Sequence, residues 1–174
     1  MRREYWWRAL AAVALPPRPR TLLVGLGGGT QVHLLHRLAR PRSITLIERD
    51  PAILHAAWEF FGLKRVGGLE FLCGDTDVVV PWLAAVRRRF DFVMEDAAYA
   101  DPTERAMTLP LALADRLSPR GVLVVNRHWR ADAGRLLAAL RPRFLDVRVR
   151  RVRREGENSL ICCSRPLRQP GSAG

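Results

Sequence analysis

Short apolar runs alternate with amphipathic segments along the first 140 residues of the chain. The runs have the length and composition of buried strands, and the segments between them place apolar residues at helical spacing. Such alternation is typical of an open, doubly wound α/β sheet with helices on both faces. The predicted strands are Leu22–Val24, Ile44–Ile47, Leu69–Leu72, Phe90–Met94 and Val122–Val125, and the predicted helices are Tyr5–Leu15, Thr30–Arg40, Pro51–Gly62, Val78–Val86, Pro102–Leu117 and Ala131–Leu140.

The last part of the chain has a different pattern. Phe144–Val152 and Leu160–Cys163 are predicted strands separated by a polar turn, Arg154–Asn158, and Ser118–Gly121 is a predicted turn before the fifth strand. The residues between the last two strands are too few for a crossover helix, so the pair must be antiparallel. The prediction is a Rossmann-like, doubly wound, mostly parallel sheet of seven strands with a C-terminal antiparallel hairpin. We expect one domain over residues 1–165 and a flexible tail over 166–174.

The net charge of +12 lies mostly at the two ends of the chain, with +4 over residues 1–20 and +6 over 141–174. A basic surface attracts polyanions such as nucleic acid. An arginine-rich composition whose charges line exposed faces explains the same numbers, and we favour that interpretation over nucleic-acid binding. The alternating segment Val147–Arg150 suits a strand with one wet face, and Arg87–Arg89 is interpreted as a solvated helix end.

The chain contains no apolar run near the ~20 residues of a membrane-spanning helix, so we expect no membrane partner. Ala9–Leu15 is short for a signal peptide and follows two tryptophans, which favours a helix there. Three cysteines are too few and too badly spaced for a disulfide scaffold or a zinc site. His33 and His36 have no third ligand nearby, so no metal site is expected. These features favour reduced thiols and a cytoplasmic location.

A glycine-rich turn and three carboxylates follow the first four predicted strands. Gly25–Gly29 comes after the first strand, and Glu48, Asp75 and Asp96 come after the second, third and fourth. The carboxyl ends of parallel strands share one rim, where ligands bind, and an acid after the second strand can accept hydrogen bonds from ribose hydroxyls. Thr30 stands where the dinucleotide fingerprint needs Gly or Ala, which argues against a nicotinamide or flavin cofactor. Each acid alone could instead cap a helix.

Five segments of the chain resemble the class I S-adenosylmethionine-dependent methyltransferase fold and, within it, the spermidine synthase-like family. They are Thr21–Gly29, Ile44–Asp50, Cys73–Thr76, Phe90–Asp96 and Ser118–Val125, within a resemblance that runs from Tyr5 to Ser164. The resemblance implies S-adenosylmethionine or its decarboxylated form as cofactor and Asp96 as the catalytic residue. The cofactor-binding residues that it implies are Gly25, Gly27, Gly29, Glu48, Asp75, Thr76 and Asp96.

The chain departs from the spermidine synthase pattern on the side of the polyamine. Tyr99 replaces a second aspartate, Tyr5–Trp7 replaces the Tyr-His-Glu of the entry helix, and Gly28 replaces an aspartate of the glycine loop. We also expect the family's N-terminal β-domain to be missing. The nucleoside half of the site therefore resembles the family more than the amine half does. Candidates for the wall of an acceptor pocket are Tyr99, His128 and Trp129, for which ordinary packing is an equal explanation.

These observations favour an S-adenosylmethionine-dependent methyltransferase of the spermidine synthase-like family, acting on a small-molecule or amine acceptor. Methyl transfer needs mainly the positioning of donor and acceptor, because the sulfonium is already activated. One alternative is a polyamine aminopropyltransferase of polyamine biosynthesis, which would use decarboxylated S-adenosylmethionine and need a homodimer or another partner to complete the amine pocket. The other alternative is a non-catalytic module that binds nucleotides or nucleic acid.

Overall fold

A computed structural model describes residues 5–97, 105–127, 130–154 and 156–167 of the chain. None of the described helices is long and apolar enough to cross a lipid bilayer. Two short 3₁₀ turns, Leu63–Arg65 and Arg141–Arg143, join longer elements. The helices are α1 (Tyr5–Ala11), α2 (Thr30–Leu38), α3 (Pro51–Phe60), α4 (Thr76–Ala85), α5 (Arg105–Ala114) and α6 (Arg130–Leu140), and the strands are β1 (Arg20–Val24), β2 (Ser43–Glu48), β3 (Leu69–Cys73), β4 (Phe90–Glu95), β5 (Leu117–Arg127), β6 (Phe144–Arg154) and β7 (Gly156–Pro166).

The seven strands form one sheet in the order β3-β2-β1-β4-β5-β7-β6. The first five strands are parallel, and β7 is antiparallel to both β5 and β6. This arrangement confirms the predicted fold class. The strand order reverses between β1 and β4, and in open α/β sheets the crevice at the carboxyl ends of such strands is the usual ligand site.

Helices cover both faces of the sheet. The helices α1, α2 and α3 pack on one face through buried residues such as Leu10, Leu35 and Ala57. The helices α4, α5 and α6 pack on the other face, where Leu83 and Leu113 are fully buried. The inner strands are therefore covered on both sides, which is why they appear in the sequence as continuous apolar runs.

The strand β5 differs from the prediction at its start. It begins at Leu117 and includes Ser118–Gly121, so the predicted turn there is wrong. Phe90 pairs with Leu117 and Phe92 pairs with Val122, which leaves a bulge on β5 between the two pairs. Proline and glycine in this segment suggested a turn, but a bulge accommodates them while both ends stay paired with β4.

The C-terminal hairpin is longer than predicted. The expected turn, Arg154–Asn158, consists almost entirely of paired residues, since Val152 pairs with Asn158 and Arg154 pairs with Gly156. Polar residues are tolerated in this ladder because β6 forms the edge of the sheet. Of the predicted flexible tail, residues 168–174 lie outside the described part of the chain.

The basic segment Arg87–Arg89 follows the end of α4, and Arg87 and Arg89 are exposed, as expected for a solvated helix end. Arg88 and Arg89 also bond to the sheet, which was not expected. Both terminal nitrogens of Arg88 donate to the carboxylate of Glu70 at 2.7 Å, and one also donates to Thr45 Oγ1 at 3.0 Å. Arg89 donates to the carbonyl oxygen of Leu117 at 2.9 Å. These bonds tie the segment after α4 to β2, β3 and β5, because the sheet supplies acceptors that local sequence could not reveal.

Candidate active site

The turn after β1 depends on glycines in left-handed backbone conformations. Gly25, Gly27 and Gly29 have φ angles of +89°, +51° and +74°. A Cβ atom on Gly25 would lie 3.1 Å from the backbone nitrogen of Ala97, so the turn packs directly against the chain after β4. Gly29 forms the N-cap of α2, which begins at Thr30 as predicted. Only glycine adopts such angles without strain, which explains the composition of the turn.

The space beside Gly27 is open. No atom of the described residues lies within 4 Å of the position that a Cβ atom on Gly27 would take. The residue is also exposed, although it lies between the buried Leu26 and the buried Gly29. A ligand can therefore approach the backbone of the turn at this point without meeting a side chain.

Glu48 ends β2 and points its carboxylate at the glycine turn. Its Oε2 accepts a hydrogen bond from the backbone N–H of Leu26 at 3.1 Å, and its Oε1 accepts one from the N–H of Asp50 at 3.1 Å. The residue is 9% exposed. A carboxylate offers about four acceptor sites, so two backbone bonds fix its orientation and leave capacity for the two hydroxyls of a ribose.

Backbone hydrogen bonds bring the other predicted site residues to the same rim. The N–H of Gly74 donates to the carbonyl of Glu48 at 3.0 Å, which places Asp75 next to the end of β2. The N–H of Asp96 donates to the carbonyl of Val24 at 2.9 Å, beside the glycine turn. The structure therefore gathers the glycines and the three acids at the carboxyl ends of β1 to β4.

Asp75 has a structural role of its own. It is the N-cap of α4, and its Oδ1 accepts a hydrogen bond from the N–H of Asp77 at 2.9 Å. Thr76 is the first residue of the helix and is buried. Helix capping, the alternative considered from the sequence, accounts for Asp75 without any ligand. An adenine contact for Asp75 and Thr76 stays a prediction.

Asp96 is held from the neighbouring strand by a residue that sequence reasoning missed. Asn126 lies near the end of β5 and donates through Nδ2 to Oδ1 of Asp96 at 2.7 Å. Asn158 on β7 donates in turn to Oδ1 of Asn126 at 3.2 Å. Asn126 directly follows the apolar run of β5, so the strand-end argument that found Glu48 would have found it.

A buried ion pair is formed by the residues next to Asp96 and Asn126 in the chain. Glu95 and Arg127 are 0% and 1% exposed and form a salt bridge. The second oxygen of Glu95 accepts a hydrogen bond from the N–H of Ala97 at 2.9 Å. Arg127 also donates to the carbonyl of Ala106 in α5 at 2.6 Å. The pair therefore fixes the backbone on both sides of Asp96. No local sequence pattern indicates that these two residues meet.

A separate groove of about 300 Å³ lies between α4 and α5. Thr76 is the one predicted site residue that lines it. The glycine turn, Glu48 and Asp96 do not, so this groove is distinct from the space beside Gly27. Its other lining residues are Asp77, Val80, Pro81, Ala84, Thr108, Leu109, Ala112, Asp115 and Arg116.

Tyr99, His128 and Trp129, predicted as walls of an acceptor pocket, lie outside the described residues. Within the described ranges, no three His, Cys, Asp or Glu side chains are grouped so that they could hold a metal ion.

Comparison with known proteins supports the predicted resemblance, although no family model matches the chain. The eEF1A lysine and N-terminal methyltransferase of Homo sapiens is 29% identical over 186 residues, covering 94% of this chain and 26% of that protein. The crystal structure of human methyltransferase-like protein 13 in complex with SAH superimposes with a TM-score of 0.71 at 24% identity, covering 94% of this chain and 82% of that one. The chain has the class I methyltransferase fold.

Polyamine aminopropyltransferases, the alternative class considered from the sequence, are also similar to this chain. The polyamine aminopropyltransferase of Vibrio vulnificus is 29% identical over 121 residues, covering 67% of this chain and 40% of that protein. The chain is thus similar in sequence both to methyltransferases and to polyamine aminopropyltransferases. The chain spans about a quarter of the length of the human relative.

Proposed function

We propose that the protein is an S-adenosylmethionine-dependent transferase and that the reaction is methyl transfer to an amine. The observation that carries the proposal is Glu48, whose carboxylate is oriented by two backbone N–H groups at the edge of a glycine turn with open space beside Gly27. The relatives support the same class, since lysine side chains, protein N-termini and polyamines are all amines.

The residues present fit this cofactor. Glu48 would accept hydrogen bonds from the ribose hydroxyls, and the exposed backbone at Gly27 would admit the cofactor without a steric clash. When bound, S-adenosylmethionine supplies an activated sulfonium methyl group. The carboxylates of the rim provide a favourable electrostatic setting for its positive charge.

Asp96 would act on the acceptor. An ammonium group must lose a proton before its nitrogen can attack, and a carboxylate held near the transferred group can accept that proton. The hydrogen bond from Asn126 fixes one oxygen of Asp96, which keeps the carboxylate in a defined orientation. The proposed catalytic contribution of Asp96 is therefore proton acceptance from a positioned amine.

Calorimetric titration with S-adenosylmethionine tests the assignment of Glu48. Replacing Glu48 with Ala should weaken binding by about 10- to 100-fold, because charge-assisted hydrogen bonds contribute about 1.5–3 kcal/mol. Glu59→Ala is the matched control, since Glu59 is an exposed glutamate paired with Lys64. Circular dichroism should show that both variants are folded. An unchanged affinity in folded Glu48→Ala would contradict the proposal.

Aminopropyl transfer is the second candidate, supported by the Vibrio vulnificus relative. It would use decarboxylated S-adenosylmethionine. Incubating the protein with putrescine and each form of the cofactor, followed by mass spectrometry of the products, separates the two reactions. Methylated putrescine, heavier than putrescine by one CH₂ unit, would support methyl transfer. Spermidine as the product would support aminopropyl transfer instead.

The proposal includes a cytoplasmic location. Cys73, Cys162 and Cys163 are all free thiols, although Cys162 and Cys163 are adjacent in β7. Free cysteines are typical of reducing compartments, where disulfides rarely persist.

A further inference from the structure

The outer edge of the sheet carries a row of exposed arginines. The strand β6 is the last in the strand order and pairs only with β7, so its other side is an open edge. Arg148, Arg150 and Arg151 are exposed on this strand, and we call these three residues the arginine edge. Edge strands often carry charged residues because they prevent pairing with other chains. That general role does not require so many charges of one sign.

The arginine edge lacks the carboxylate partners that its neighbours Arg143 and Arg165 have. Arg143 pairs with Asp115, and Arg165 pairs with Asp146, which is the single acidic residue of β6. Within the described residues, the side chains of the arginine edge take part in no ion pair or hydrogen bond. Their positive charges are therefore not neutralised by the protein itself.

The side chains of the arginine edge point to both faces of the sheet. Arg148 pairs with Cys162, so Arg148 and Arg150 lie on the face of the sheet that holds Cys162. Burial raises the pKa of Cys162 to about 11, and the charges of these two arginines oppose that rise. Arg151 projects to the opposite face, because side chains alternate along a strand. A long flexible polyanion running along the edge could meet charges on both faces.

The arginine edge lies two strands away from the residue that orients Asp96. Asn126 pairs with Leu160, and Leu160 pairs with Arg150, so Arg150 and Asn126 share one row of the sheet. Strands are about 4.8 Å apart, which puts the two backbones about 10 Å from each other. Asn126 in turn holds Asp96. A molecule bound at Arg150 would thus lie three strands, or about 14 Å, from β4, which ends beside Asp96.

We infer that the arginine edge binds the phosphate backbone of a nucleic acid. Arginine forms bidentate hydrogen bonds with phosphate, and a phosphate backbone offers a regular series of such groups. The strand β6 continues with Arg153 and Arg154, so five arginines stand in seven consecutive residues, over a length of about 20 Å. The net charge of +12 would attract such a partner over long distances. An acidic protein could pair with all of these arginines only if it presented an equally continuous series of carboxylates.

Fluorescence anisotropy with a labelled single-stranded RNA of about 20 nucleotides tests the inference, with the salt concentration varied between about 50 and 200 mM. The variant is the triple substitution Arg148→Gln, Arg150→Gln and Arg151→Gln in the full chain. The control is Arg37→Gln, Arg42→Gln and Arg65→Gln, which removes the same charge from exposed arginines outside β6.

The wild type should bind the RNA with a steep dependence on salt. Removing three phosphate contacts should weaken binding about tenfold or more near 100 mM salt and reduce the slope of log Kd against log salt by about 2. The control should keep most of the slope. An equal loss in both triple variants would overturn the inference, because net charge alone would then explain binding.

Two further measurements complete the test. Poly-L-glutamate should compete poorly with the RNA, and tight binding of poly-L-glutamate without RNA binding would replace the nucleic acid with an acidic protein. Calorimetry with S-adenosylmethionine should give the same affinity for the arginine-edge variant as for the wild type. In the wild type, absence of RNA binding with intact binding of S-adenosylmethionine would contradict the nucleic-acid inference alone. RNA binding without binding of S-adenosylmethionine would contradict the transferase proposal alone.

Discussion

The orientation of one carboxylate, that of Asp96, depends on a chain of two amides. The side chain of Asn126 donates to Asp96 through Nδ2, and its Oδ1 accepts a hydrogen bond from Asn158. The two bonds agree on which way the Asn126 amide faces, because the carboxylate of Asp96 only accepts hydrogen bonds and the Nδ2 of Asn158 only donates them. The hairpin thus contributes to a site built mainly from the parallel strands.

Replacing Asn126 with Ala should reduce kcat for methyl transfer by about 10- to 100-fold, because a hydrogen bond to a charged group contributes about 1.5–3 kcal/mol. The affinity for S-adenosylmethionine should stay near that of the wild type, since Glu48 is unaffected. Asn126→Asp should be more harmful than Asn126→Ala, because it sets two carboxylates against each other. Steady-state kinetics and calorimetry measure both effects. An Asn126→Ala variant with wild-type kcat would exclude a positioning role.

Site residues differ in how far the sequence reveals them. Glycines before a helix and acids at strand ends follow local rules, so Gly27 and Glu48 could be placed at one rim from the sequence alone. Asn126 follows the same rule on β5, but an uncharged amide is a weaker signal of a functional site than a carboxylate. The pairing of Glu95 with Arg127 depends on the alignment of β4 with β5, which no local pattern encodes.

At the scale of elements, a polar cluster joins β2, β3 and the end of α4. Arg88 donates to both Glu70 and Thr45, and Thr45 donates to Glu70 at 2.8 Å. The guanidinium of Arg88 lowers the pKa of Glu70 below its ordinary value, although partial burial works in the opposite direction. The carboxyl side chain is 42% exposed, so solvent screens much of the interaction.

The cluster should contribute to stability in a pH-dependent way. A carboxyl whose pKa is lowered by folding stabilises the fold above its unfolded-state pKa, and the contribution is lost as the pH falls through the folded-state pKa. The coupling between Glu70→Gln and Arg88→Gln should therefore be at most about 1 kcal/mol at pH 7 and disappear in acid. Urea unfolding of the two single variants and the double variant measures it. A coupling that persists at about pH 2 would show that the carboxylate charge is not its source.

The elements themselves were largely predictable, and the errors have one physical origin. All five parallel strands were expected from their apolar runs, because burial on both faces makes such runs continuous. The expected turn Ser118–Gly121 is instead a bulge within β5, because the residues on either side of it pair with β4. The ladder of the hairpin extends to Arg154 and Gly156, into the expected turn Arg154–Asn158. In both places strand pairing, which no local pattern encodes, overrides local turn propensity.

At the scale of the whole molecule, one buried ion pair near the candidate active site connects two strands of the sheet to α5. Arg127 at the end of β5 forms a salt bridge with Glu95 at the end of β4 and donates to a carbonyl oxygen of α5. Both charges are removed from water, so each depends on the other. The end of β5 is therefore coupled to the segment after β4 that packs against the glycine turn.

Breaking this pair should destabilise the entire domain. Arg127→Met leaves the carboxylate of Glu95 buried without its counter-charge, which should lower the free energy of unfolding by about 3–5 kcal/mol at neutral pH. The double variant Glu95→Gln with Arg127→Met removes both charges and should recover part of that loss, since no isolated charge remains. Urea unfolding followed by circular dichroism gives all three values. If the double variant is as unstable as Arg127→Met, lost packing and hydrogen bonds, rather than the isolated carboxylate, account for the destabilisation.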